Sequence, residues 1–391
     1  MSEKYRWVSE RANIVPWSGV RKMFDLAQKY KDTISLSVGE PDFPTPQHIV
    51  DAAFEAAKKG YTHYTPNAGL MDFREAAAEK LEKENNIEAD PGKEIIATVG
   101  AMGALALAIL ATINRGDEVL IPNPGFPSYE AQVLLAEGKP VYYPTITGRT
   151  FNMDLDELEN LVSKKTKAII LNSPSNPTGA VFNDKQLRGI TEIAVKNDLL
   201  VISDEAYEAI TYDDVKHVCI GSLPKMKERT ISIFSFSKTH AMTGWRIGFA
   251  VGNEKIIQQM IKLQEHLTAH PSSVSQKAAT AALCGSMNHV KMMVKEYAKR
   301  RDILLKELTE ISGIRCVKPL GTFYVFPNIS AFKMSPHDFA MSMLEKAKVI
   351  IVPGTAFGSN GEGYIRISYA TSREKIIEAM ARIKKALKIG Q

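Results

Sequence analysis

The sequence predicts an α/β fold. A large domain is built on a mostly parallel sheet of the seven-stranded type flanked by helices, and a smaller α+β domain is formed by the N-terminal segment and the C-terminal third. Three observations carry this expectation. Between residues 48 and 285, short β-branched runs alternate with longer amphipathic segments, the pattern of strands joined by crossover helices. After about residue 290 the texture changes, and a long charged helical stretch leads into a few short apolar runs. No repeat or low-complexity tract interrupts the chain, so neither an array nor a long linker is expected.

The segment 1–47 supplies "TISLSVGEPDFPTPQ", which is assigned with an N-terminal arm to the small domain. Within 48–285, strands are predicted at "KEIIATV", "DEVLIPN", "KPVYYP", "KAIILN", "LLVISDEAY", "TISIFSFS" and "RIGFAVG". The apolar helix "GAMGALALAIL" follows the first of these, and "DKQLRGITEIAVKND" has helical periodicity between the fourth and fifth. Residues 286–391 hold the helix "NHVKMMVKEYAKRRDILLKELTE", the runs "IRCVKPLGTFYVFPN", "VIIVPG" and "GYIRISYA", and a closing helix.

Composition narrows the function. Hydrophobic residues at 45% and charged residues at 24% are ordinary for a globular protein that is neither disordered nor membrane-embedded. With 49 Lys+Arg against 44 Asp+Glu the net charge is only +5 and no dense basic block exists, so no nucleic-acid partner is expected. The start, "MSEKYRWVSE", lacks an apolar signal stretch, and the longest apolar run, Ala101 to Ile113, is too short for a bilayer; a cytoplasmic protein with no membrane partner is expected. Cys219, Cys284 and Cys316 are odd in number and far apart, and are read as small buried hydrophobes. His63, His240, His266 and His270 show no metal spacing.

Ligands of open α/β sheets gather at the carboxyl ends of the strands, and several polar groups fall there. Gly100, Ala101 and Met102 open a helix whose first N–H groups suit a phosphate. Asn176 lies in the turn "SPSNPTG", Asp204 and Tyr207 in "DEAY", and Lys238 in "SFSK", eight residues before Arg246. Taken singly, Asn176 also reads as a turn former, Asp204 as a helix cap and Lys238 as a solvated loop residue. A lysine at the end of a buried strand, however, loses part of its charge preference and becomes nucleophilic toward a carbonyl.

"NPTG", "DEAY", "SFSK" with an arginine eight residues on, and "YIRIS", in this order, resemble the fold-type I pyridoxal-phosphate-dependent aminotransferases of class I/II, the aspartate and aromatic aminotransferase-like group. The resemblance runs from "ISLSVGEPDF" to "GYIRISYA". It implies pyridoxal 5'-phosphate as cofactor. It makes Lys238 the residue that bonds the cofactor and moves the substrate proton, Asp204 the partner of the pyridine nitrogen, and Tyr207 and Asn176 the partners of the ring oxygen. Gly100, Ala101, Met102, Ser235, Ser237 and Arg246 fall on or beside the phosphate cup, and Phe126 matches the aromatic stacked on the ring. Arg366, with Gly39 and Asn176, matches the substrate-binding set. Tyr64 matches a tyrosine that reaches the neighbouring subunit's phosphate, which implies a homodimer with shared active sites.

The implied reaction is ping-pong transfer of an amino group from an L-amino acid to a 2-oxo acid, with 2-oxoglutarate as the expected acceptor. In some aspartate-using members a lysine stands where this sequence has Met102, so aromatic or large aliphatic donors are favoured. An aspartate aminotransferase and a same-fold β-lyase remain alternatives, with a ligand-sensing regulator more remote. Tyr324 reads equally as pocket lining or core, and Trp245 is expected beneath the cofactor loop.

Overall fold

The computed structural model describes residues 7–27, 30–148 and 150–388, so residues 1–6 and 389–391 of the outer predicted segments lie outside the described residues. Twelve strands follow in order: β1 (Ile34–Ser35), β2 (Ile95–Thr98), β3 (Glu118–Asn123), β4 (Lys139–Pro144), β5 (Thr166–Asn172), β6 (Leu200–Asp204), β7 (Thr230–Ser235), β8 (Gly248–Val251), β9 (Tyr324–Val325), β10 (Val349–Ile350), β11 (Val352–Pro353) and β12 (Ile365–Ser368). The seven predicted runs of the large domain form one seven-stranded sheet in the order β2-β8-β7-β6-β5-β3-β4. Pairing is parallel throughout except at β8, which runs against both β2 and β7.

Helices cover both faces, which explains why the inner strands are apolar on both sides. The helix Gly100–Thr112 is apolar around most of its circumference because it is wedged between the sheet and the helix Glu254–Leu267. The helix Asp184–Lys196 begins at Asn183, whose side chain accepts from the Gln186 N–H while the Gln186 side chain accepts from the Asn183 N–H. That reciprocal cap satisfies two backbone donors that the helix leaves unpaired.

The N-terminal and C-terminal segments join through the backbone. β1 pairs in parallel with β10, and the Ser368 N–H donates to the Leu36 carbonyl at 2.7 Å. β9, β12 and β11 form a second, antiparallel sheet, and Met23, Ile34 and Leu36 pack in the same apolar cluster as the helices Asn288–Thr309 and Arg373–Lys388. Trp245 is partly buried and donates to Thr45 at 3.0 Å. One cysteine departs from expectation: Cys219 is buried and Cys316 partly so, but Cys284 is exposed at the end of its helix, where no apolar layer lies over it. No described helix is long and apolar enough to cross a membrane.

An ion-pair knot ties three distant segments. Glu296 accepts from Arg300 at 3.0 Å and from Arg373 Nε at 2.8 Å, and Arg300 reaches Asp42 at 2.7 Å. Hydrogen bonds from Arg373 lead the causes that pull the Glu296 carboxyl from its ordinary range down to about 2. A folded-state value below the unfolded one stabilises the fold above the ordinary carboxylate range, and that contribution is lost as pH falls through about 2. Replacing Glu296 by Gln is expected to cost about 1–2 kcal/mol at pH 6, with the difference from wild type shrinking toward zero near pH 2. Denaturant melts at stepped pH measure it, and a pH-independent difference contradicts the linkage.

Candidate active site

The carboxyl ends of β3, β5, β6 and β7 point to one edge of the sheet, and the site is assembled there. Because β8 runs backwards, it starts at this edge, which brings Arg246 beside the N-terminus of the helix that follows β2. Backbone here is packed too tightly for side chains. A Cβ on Gly248 would lie 2.6 Å from the Phe234 carbonyl oxygen, and one on Gly100, whose φ is +66°, would lie 2.7 Å from Arg246 Nη2. Arg246 itself adopts φ +50° and is anchored by an Nη1 donation to the Thr243 carbonyl at 2.9 Å.

A cavity of about 550 Å³ opens at this edge. It is lined by Gly39, Ala101, Met102, Phe126, Asn176, Asp204, Tyr207, Ser235, Ser237, Lys238, Arg246 and Arg366, so twelve of the fourteen residues singled out in the sequence meet in one space. Gly100 stands behind the wall against Arg246. Tyr64 lies outside the cavity, 90% exposed, with its ring in an edge contact with His270.

Lys238 extends from a single helical turn after β7 and donates to the Gly39 carbonyl. Burial, with Arg246 and Arg366 adding repulsion against the attraction of Glu40 and Asp204, pulls its amine down to about 8. Asp204, the last residue of β6, accepts from the Tyr129 hydroxyl at 2.7 Å and from the Ala206 N–H at 3.1 Å. Burial raises its carboxyl while these two hydrogen bonds hold it down. The Tyr207 and Tyr324 hydroxyls lie 2.9 Å apart, and burial pushes both phenols up, so they orient neighbours as neutral groups. Tyr324 is therefore both core, at 1% exposure, and cavity wall.

Arg366 is 2% exposed. Its Nη1 donates to Asn176 Oδ1 at 2.9 Å and its Nη2 to the Ser37 carbonyl at 2.6 Å, while Nε has no hydrogen-bond partner among the described residues. Its guanidinium lies 4.3 Å from the centre of the Tyr324 ring and 4.7 Å from that of Phe357. Among the described residues, Lys238, Asp204 and Arg366 each lack an ion-pair partner within 4.0 Å. Buried charges are costly unless paired, so three of them around one space define a ligand that carries the complementary charges.

Those charges fit pyridoxal 5'-phosphate and an amino-acid substrate. A carboxylate suits a ring nitrogen, an amine of lowered basicity suits an aldehyde carbon, and Arg246 beside a helix N-terminus suits a phosphate. The orphaned Nε of Arg366 suits a carboxylate.

Sequence reasoning missed several residues of the wall. Tyr129 stands one turn after Phe126, and that spacing was the available signal that both face the same space. Ser37, Asn172, Glu40, Thr243 and Arg21 also line the cavity and were not singled out. In the cofactor-free chain, the rate at which an acylating reagent modifies Lys238 should rise through about pH 8, well before ordinary lysines react. Peptide mass spectrometry across a pH series checks it, and a profile matching the surface lysines contradicts the assigned environment.

The family described as aminotransferase class I and II matches residues 31–383. An aspartate aminotransferase of Pyrococcus abyssi is 51% identical over 97% of this chain and 98% of its own length. An aromatic-amino-acid aminotransferase 2 of Thermococcus litoralis is 48% identical over 97% and 98%. Among solved structures, the aspartate aminotransferase of Thermus thermophilus with maleate superposes with a TM-score of 0.93 at 36% identity, covering 98% of this chain and 100% of that one. Sequence, fold and site geometry thus agree, and the chain belongs to the class I and II aminotransferases, whose members use pyridoxal 5'-phosphate.

Proposed function

We propose that this aminotransferase moves the amino group of an aromatic or large aliphatic L-amino acid to 2-oxoglutarate by a ping-pong cycle. The observation that carries the reading is the trio of charges Lys238, Asp204 and Arg366, without ion-pair partners among the described residues, around one cavity. Asp204 would hold the cofactor's ring nitrogen, Tyr207 and Asn176 the ring oxygen, and Phe126 the ring face. Arg246, Ser235 and Ser237, with the backbone at Gly100, Ala101 and Met102, would hold the phosphate. When bound, pyridoxal 5'-phosphate supplies an electron-accepting ring that makes the substrate's α-hydrogen acidic.

Lys238 does the proton work. With its amine lowered to about 8, an appreciable fraction is neutral near neutral pH and would accept the substrate's α-proton. Asp204 would pair with a protonated ring nitrogen, and Tyr129 holds that carboxylate in orientation. Arg366 fixes the substrate's α-carboxylate; two of its five N–H groups are engaged, and the rest form a fork for the two oxygens. Gly39 brings its backbone against the same group, and a Cβ there would lie 2.3 Å from the Tyr324 hydroxyl oxygen.

Met102 gives no cation to a side-chain carboxylate, which favours apolar donors over aspartate by roughly ten- to a hundredfold, the worth of one charge-assisted hydrogen bond. The relatives leave this open, since one is named for aspartate and another for aromatic amino acids. Mixing the holoenzyme with each donor and following the cofactor's absorbance decides it: phenylalanine should exceed aspartate in kcat/KM, and the reverse order rejects the assignment.

The segments 1–47 and 286–391 are read as a small domain that closes on the large domain, 48–285, and the free cysteines fit a reducing cytoplasm. Tyr64 supports a homodimer. Its 90% exposure leaves its ring available to a neighbouring chain's phosphate site. Mixing a Tyr64→Ala subunit with a Lys238→Ala subunit should restore activity, because the heterodimer has one site with both residues; no recovery despite demonstrated subunit exchange shows that each site is built from one chain.

A further inference from the structure

We propose that His270 is a positioning residue for the cofactor site of a neighbouring chain, because it holds the loop that presents Tyr64. The inference rests on the reading that Tyr64 reaches that chain's phosphate. Tyr64 lies in the connection 59–70 between the helices Gln47–Lys58 and Met71–Asn85, which contains no strand or helix of its own. A hydroxyl carried on such a connection reaches one fixed point only if the backbone beneath it is locked by its neighbours.

The segment between the helices Glu254–Leu267 and Ser273–Cys284 supplies the lock. Ala269 takes φ +58° and Ser272 caps the second helix, and between them His270 faces the loop. The Thr65 N–H donates to His270 Nε2 at 3.2 Å, and His270 Nδ1 lies 2.7 Å from the Pro271 carbonyl oxygen. A backbone N–H only donates and a carbonyl only accepts, so the ring carries its proton on Nδ1 and leaves Nε2 bare. Gln276, fully buried, accepts from the Leu70 N–H at 2.7 Å and donates to Thr65 Oγ1 at 3.2 Å and to the same Pro271 carbonyl at 2.8 Å. The two side chains therefore meet at one carbonyl and fix the loop at Thr65 and Leu70. The Tyr64 ring stands edge-on to His270, with centroids 5.6 Å apart and planes at 90°. His270 thus touches both the Tyr64 ring and the backbone of the next residue, which sets where the Tyr64 hydroxyl points.

The test uses the full chain carrying His270→Leu, His270→Gln, Tyr64→Phe, or Tyr64→Phe with His270→Leu. After removal of cofactor, equilibrium binding measures affinity for pyridoxal 5'-phosphate and for pyridoxal, which lacks the phosphate; their ratio isolates the phosphate contact. Amide exchange across 61–70 is followed in the reloaded holoenzyme. Tyr64→Phe should lower the ratio about ten- to a hundredfold, the worth of one charge-assisted hydrogen bond. His270→Leu should lower it about two- to tenfold and speed exchange at Thr65, and His270→Gln, which keeps an acceptor oxygen, should recover most of both. In the Tyr64→Phe background, His270→Leu should lower the ratio no further. A loss in His270→Leu that falls equally on both ligands, or persists in full in the Tyr64→Phe background, shows general packing and overturns the assignment. An unchanged ratio in Tyr64→Phe rejects the reading of Tyr64 and the proposal with it, whereas a loss in Tyr64→Phe with none in His270→Leu rejects the role of His270 alone.

Discussion

The structure is organised around charges that the chain leaves uncompensated. Lys238, Asp204 and Arg366 converge on one cavity without ion-pair partners among the described residues, in a fold that pairs charges readily elsewhere, as at Glu296. Pairing them with one another would fill the site and remove its affinity. They are instead held by neutral dipoles: Asp204 by a phenol and an N–H, Lys238 by the Gly39 carbonyl, Arg366 by an amide and a carbonyl. Neutral partners orient a charge without cancelling it, which leaves most of its attraction for a ligand.

Holding such groups apart requires a rigid frame, and sheet topology provides it. Parallel strands bring the ends of β3, β5, β6 and β7 to one edge, and the reversed β8 brings Arg246 there from the opposite chain direction. The tight packing at Gly100 and Gly248 is a consequence, since a helix N-terminus, a strand start and a guanidinium share a small volume. Small residues there let backbone approach where a phosphate needs N–H groups.

A layer of tyrosines links the two halves of the site. Tyr129 steadies Asp204 from the large sheet, while Tyr207 meets Tyr324 from β9, whose ring also lies against Arg366. Desolvation keeps these phenols protonated, so each remains a donor and does not add a competing negative charge. The groups that would hold the ring and those that would hold the substrate are therefore in contact, and Val20 packs in the cluster of Phe357, whose ring lies against Arg366.

All seven strands of the large sheet were legible in the sequence, the inner ones because strands buried on both faces are continuous apolar runs whose character is set locally. The ordered short motifs also named Lys238, Asp204, Tyr207, Asn176 and Arg246, which lie within four residues of strand ends that share one edge of the large sheet, and Arg366, which β12 of the small sheet carries to the same cavity. What the sequence could not determine depends on partners far apart along the chain. Tyr129 meets Asp204 across 75 residues, and Ser37 meets Arg366 across 329. Local propensity fixes the strands and their ends, but which side chains face each other across the cavity is set by sheet order and by the pairing of β1 with β10, and neither leaves a periodic trace in the chain.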